Sequence, residues 1–190
     1  MSQTSAQPQP DATLPAWARA WILETEGGYS NDPADPGRET KFGISKRAHP
    51  EVDIAGLTQA RAVEIYGRAY WRPIRGAELP SVAALAVFDA AVLHGVTAAV
   101  AMLQRTLLDL RAYSSRFNVA VDGIVGPHTI AAARTAFAPG KSGAALAHYL
   151  AERVLYVAAI TRREPSQQRF LRGWARRFFL LGAACARLEA

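Results

Sequence analysis

"TEGGYSNDPADPGRET", residues 25–40, decides how this chain is read. Glu26 is followed by two glycines, and Asp32, Asp35 and Glu39 then sit among two prolines and a further glycine. Such a stretch cannot continue a helix. It is either a solvated loop or a loop that holds acids where chemistry needs them.

Working outward, "TLPAWARAWILETEGG" reads as a first helix. Thr13 is its expected N-cap, Pro15 lies in its first turn and Gly27 is its stop. Glu26 falls at the C-terminal end, where the negative end of the helix dipole disfavours a charged carboxylate. Glu24 is its nearest rival, sharing a face with Trp17 and Trp21. The turn signals of 27–45, closing on "TKFGI", predict a small irregular hairpin.

Helices then dominate. "LTQARAVEIYGRAYW", 57–71, has helical apolar spacing behind Thr58 as a cap. Residues 80–94 are apolar nearly all round, which predicts a central buried helix with Asp89 as its lone acid, structural rather than catalytic. Residues 97–111 form another helix capped by Thr97. In "VDGIVGPHT", 121–129, a compact turn leads to Thr129 as the cap of the next helix. A helix over about 142–161 and a last one from near Pro165 follow. The last carries a packing stripe of Leu171, Trp174, Phe178, Leu181, Cys185 and Leu188. The expected fold is mainly α, with a small β-hairpin after the first helix. The tail 1–12 is polar, without apolar periodicity, and is expected to be disordered.

Half of the 190 residues are hydrophobic, net charge is +6 and the pI is about 9.9. That balance suits one core and an anionic partner: nucleic acid, a membrane surface or an acidic wall polymer. One cysteine, Cys185, and four scattered histidines exclude an internal disulfide and predict no zinc site. No signal peptide is visible and the apolar runs are too short to span a bilayer. The chain is therefore expected to be made in the cytoplasm, without stable membrane insertion.

Glycosidic cleavage needs a proton donor for the leaving oxygen and a second group that stabilises the cationic centre or activates water. Glu26 fits the donor. Asp35, nine residues on, and Thr40, five further, stand on what would be the opposite wall of a cleft. Asp35 and Asp32 are equally suited to turn formation, and Thr40 to a strand. Tyr29 and Phe42 could stack on sugar rings or simply pack.

"TEGGYSNDPADPGRETKFGISKRAHP" closely resembles the signature of glycoside hydrolase family 108, the N-acetylmuramidases of phage endolysins and related secretion-associated enzymes. "DIAGLT", "IYGRAYW", "LPSVAALAVFDAAV" and "VDGIVGPHTIAAA" continue the resemblance in order, and "FLRGWARR" resembles the end of the family's predicted peptidoglycan-binding region. The resemblance implies a lysozyme-like helical fold, with a catalytic region at 13–96 and a helical, predicted peptidoglycan-binding region at 97–190, and Glu26 as catalytic acid. By a looser similarity to phage-type lysozymes, Asp35 is a second carboxylate and Thr40 a water-positioning hydroxyl. Tyr29, Asn31 and Phe42 are substrate-contact candidates. The chain departs from the family at Arg38, where a second glycine is usual, and at Leu93–His94, where an asparagine is common.

The implied activity is hydrolysis of the β-1,4 bond between N-acetylmuramic acid and N-acetylglucosamine, with no metal or organic cofactor. The implied partner is peptidoglycan rather than nucleic acid, reached from the periplasm by way of a holin or a secretion route, and a monomer is expected. The alternatives are a lytic transglycosylase, which needs no second carboxylate, and a non-catalytic wall-binding protein.

Overall fold

The computed structural model describes residues 13–26, 29–31, 39–110 and 118–189, with the side chains of 30 and 31 excepted. The expected tail 1–12, Asp32, Asp35, Arg38 and the Gly27 stop lie outside the described residues. Mainly α structure with a small antiparallel element after the first helix is what the chain adopts. By contact density it divides into two units, 1–71 and 72–190.

In the N-terminal unit, α1 (Ala16–Thr25) buries Ala18, Trp21 and Ile22. Its N-cap is Pro15 rather than Thr13. Pro15 has extended backbone, and its carbonyl takes the Arg19 N–H at 3.0 Å. A proline lacks an N–H and so removes one of the donors that a helix start leaves without an intrahelical partner.

Three short strands follow: β1 (Ser30–Asn31), β2 (Glu39–Lys41) and β3 (Ile44–Ser45), antiparallel in the order β1-β2-β3. The expected hairpin thus gains a third strand. Ser30 pairs Thr40 and Lys41 pairs Ile44. Lys41 Nζ donates to the Ala55 carbonyl at 2.7 Å and Lys46 Nζ to that of Val52 at 2.8 Å, tying the following loop to the sheet.

Thr58 caps α2 (Gln59–Tyr66) as expected, its hydroxyl accepting the Arg61 N–H at 3.2 Å. The helix does not run on unchanged to Trp71, however. Gly67–Trp71 widens into a π-helical turn that buries Trp71 edge-on to Trp17, with centroids 5.7 Å apart. A π-turn shifts the facing of side chains within a few residues, which a constant-period reading of the sequence misses.

Among its described residues, the regular structure of the C-terminal unit is helical. α3 (Ser81–His94) buries every residue from Val82 to Ala91. Around it pack α4 (Val96–Leu110), α6 (Ser142–Arg163) and α7 (Leu171–Ala186), while α5 (Pro127–Ala136) packs on α4. Asp89, fully buried, is indeed structural. Its carboxylate meets Arg153 Nη1 of α6 and Arg177 Nε of α7, each at 2.7 Å. The Arg153 guanidinium also lies 4.2 Å over the Phe178 ring. Cys185 is buried beside this group, and burial pushes its thiol up to about 12.

Two further capping expectations fail. α4 starts at Val96, one residue before Thr97. α5 starts at Pro127 behind Gly126, so Thr129 is buried inside the first turn. The "VDGIVGPHT" turn is held instead by buried Gln104 of α4. Its amide donates to Asp122 Oδ1 at 2.7 Å and to the Ile124 carbonyl at 2.9 Å, and its oxygen accepts the N–H groups of Asp122 and Gly123. The stripe on α7 fails at Leu171, the helix's first residue, which is exposed where a 3₁₀ segment (Pro165–Phe170) gives way to the helix. Trp174 is half-buried against His94, with centroids 6.1 Å apart.

Candidate active site

Glu26 closes α1. Its N–H caps the Ile22 carbonyl at 3.0 Å, and its backbone turns extended (φ −93°, ψ 127°), which ends the helix. The carboxyl therefore stands where the chain leaves α1 for the sheet, half-buried.

The β2–β3 turn meets it there. With Lys41 opposite Ile44, the loop has two residues, and both have positive φ: Phe42 at 51° and Gly43 at 72°. That is a type I′ turn, whose twist matches the strands it joins. Phenylalanine pays about 1 kcal/mol for the left-handed region. Gly43 is needed there for space as well as φ. A Cβ at this position would collide with Glu26 Oε2 and with the Tyr66 hydroxyl. So the turn backbone, the Glu26 carboxyl and the Tyr66 phenol come together at one point.

Tyr66 holds the turn from below. Its side chain is buried and its hydroxyl donates to the Phe42 carbonyl at 2.9 Å. Tyr70, four residues on, lies beside it with ring centroids 5.8 Å apart. Burial first, and the Glu26 carboxylate second, raise the Tyr70 phenol above its ordinary value. A phenol so held stays protonated and can donate a hydrogen bond near Glu26 across the neutral range.

The other expected site residues fall as follows. Thr40 is in the middle of β2, two residues before Phe42, paired with Ser30 and Ser45. Tyr29 is exposed and donates to Glu39 Oε1 at 2.9 Å, so it forms the outer edge of the sheet with a carboxylate attached. Asn31 pairs with Glu39 through the backbone. Phe42 is half-buried, with Lys41 Nζ 5.7 Å from its ring centroid. Asp35 lies outside the described residues.

The helical spacing of 57–71 marks Tyr66 and Tyr70 for packing alone, and nothing local places Gly43 in the site. One signal was legible: "FG" between β-prone residues, followed by two tyrosines at i, i+4 spacing. What it lacked was the pairing of turn and helix, a contact across 24 residues.

Residues 19–95 match the family model for Glycosyl hydrolase 108, and residues 98–179 match that for the Predicted Peptidoglycan domain. The solved structure titled "Structure of Brucella abortus SagA" is 25% identical, with a TM-score of 0.72 over 92% of this chain and 94% of that one. No curated protein matches the chain.

Proposed function

We propose that this peptidoglycan hydrolase, a glycosyl hydrolase 108 chain with a predicted peptidoglycan domain on its C-terminal side, is an N-acetylmuramidase. Its target is the β-1,4 bond between N-acetylmuramic acid and N-acetylglucosamine. Glu26 is the general acid that protonates the leaving oxygen.

The observation that carries this reading is the seat of Glu26. It is the carboxyl at the end of α1, packed against a turn whose backbone leaves no room for a side chain, with the Tyr66 and Tyr70 phenols beside it. A rigid seat supports proton transfer because the donor must meet the leaving oxygen within hydrogen-bond reach. The second function, stabilising the oxocarbenium-like centre or activating water, belongs in this reading to Asp35 with Thr40. Chain order supports it, since both lie in the segment that runs from Glu26 to the turn. Tyr29, Asn31 and Phe42 would contact the sugar. Catalysis occurs at the wall, outside the cytoplasmic membrane, after release by a holin or secretion route.

Mass spectrometry of products from purified peptidoglycan tests the proposal, with native protein compared with Glu26→Gln. Reducing muramic ends from the native enzyme, and their loss by at least a hundredfold in the variant, are expected. Anhydro-muramic ends would make the enzyme a transglycosylase. Equal activity in the variant would remove Glu26 from the chemistry.

A further inference from the structure

The exposed face of α7 combines arginines with bare apolar side chains. Between Glu164 and Glu189 the sequence holds five arginines and no acid. One of them, Arg177, is turned inward to Asp89. The helix buries Phe178, Leu181, Ala184 and Cys185. At 100° per residue, the outward arc opposite them carries Arg172, Arg176, Phe179, Leu180, Ala183 and Arg187. All six are exposed, Phe179 to 82%. Among the described residues no carboxylate forms an ion pair with Arg172, Arg176 or Arg187. Just before the arc, Phe170 and Leu171 are also exposed, with the Arg169 guanidinium 4.7 Å over the Phe170 ring.

We propose that this face of α7 docks on an anionic phospholipid bilayer surface, adding membrane attachment to the wall activity. The charge is complementary: a row of arginines without an acid matches a sheet of lipid phosphates. The apolar residues select lipid over a second anionic polymer. Phe179, Leu180 and Leu171 offer hydrocarbon that acyl chains can take up, and the two aliphatic leucines have no ring face to stack on a sugar. The attachment is peripheral, since no helix among the described residues is long and apolar enough to cross a membrane.

Vesicle co-sedimentation with the full chain tests this. Vesicles of phosphatidylglycerol and phosphatidylcholine are compared with phosphatidylcholine alone, at low and high salt. Binding at least tenfold tighter to the anionic vesicles, weakening with salt, is expected. Arg172→Gln/Arg176→Gln should lose about tenfold or more, because each arginine near an anionic surface contributes roughly a fivefold factor. Phe179→Ser should lose several-fold while keeping the salt dependence. All substituted side chains are exposed, and circular dichroism melts verify that the variants fold. Leu180→Gln is the second apolar probe should Phe179→Ser unfold. Equal binding to neutral vesicles, no vesicle binding, or binding unchanged in the double arginine variant overturns the proposal. Loss of retention on purified peptidoglycan in that variant, with vesicle binding intact, would reassign the face to wall recognition. A native dimer split by Phe179→Ser, without vesicle binding, would reassign it to self-association.

Discussion

At the scale of single residues, Gly43 and His94 show how much hangs on one position. Gly43→Ala forces an L side chain to φ 72° and drives a methyl into the Glu26 carboxyl and the Tyr66 hydroxyl. The expected cost is about 1–3 kcal/mol of stability in thermal melts. A drop of at least tenfold in kcat on solubilised peptidoglycan should accompany it, because the carboxyl must move. Full activity in that variant would separate the turn from the chemistry.

His94, one of the chain's departures from the family pattern, stacks on Tyr156 with centroids 5.0 Å apart and meets the Trp174 edge. Burial first, then the Arg153 guanidinium, lower it to about 4, with Asp89 opposing and Arg177 adding. The unfolded chain binds this proton near pH 6.5 and the folded chain only near 4. Folding is thus favoured above pH 6.5, and that stability is lost as pH falls toward 4. Urea midpoints should fall by the equivalent of about 2–3 kcal/mol between pH 7 and 4.5 from this group alone. His94→Gln should flatten that slope; an unaltered slope would put its origin elsewhere.

At the scale of elements, side chains rather than propensity hold the connections. Buried Gln104 replaces the missing regular structure of the 121–126 loop with four hydrogen bonds to it. Gln104→Ala leaves the Asp122 and Gly123 N–H groups without that acceptor. A loss of about 2–4 kcal/mol is expected by chemical denaturation, more than one exposed hydrogen bond could cost. A loss under half a kcal/mol would show that water replaces the glutamine. The loop's Asp-Gly and Gly-Pro signals were legible locally. The glutamine that organises it stands 18 residues earlier and carries no local mark.

At the scale of the molecule, each unit has its own organisation. In the C-terminal unit the Asp89 carboxylate joins three helices through Arg153 and Arg177. Asp89→Asn keeps the shape and removes the charge, leaving Arg153 buried without its counter-ion. The expected loss is about 3–5 kcal/mol in urea unfolding. Retained native stability would mean that the ion pair contributes only packing.

The division of labour between sequence and tertiary structure follows the range of the forces involved. Helix positions, the buried character of α3, the Thr58 cap and the candidacy of Glu26 were readable, because periodicity, caps and breakers act within a few residues. Pro15 in place of Thr13, Gly126 in place of Thr129 and the exposure of Leu171 were not, because several residues can end or start a helix locally and packing selects among them. The site divides the same way. A carboxylate at a helix end before a turn-rich acidic stretch is written in the chain. That Gly43 and Tyr66 meet it, that Tyr70 feels its charge, and that Asp89 takes two arginines are decided by contacts between residues far apart in sequence, which only the folded chain brings within hydrogen-bond reach.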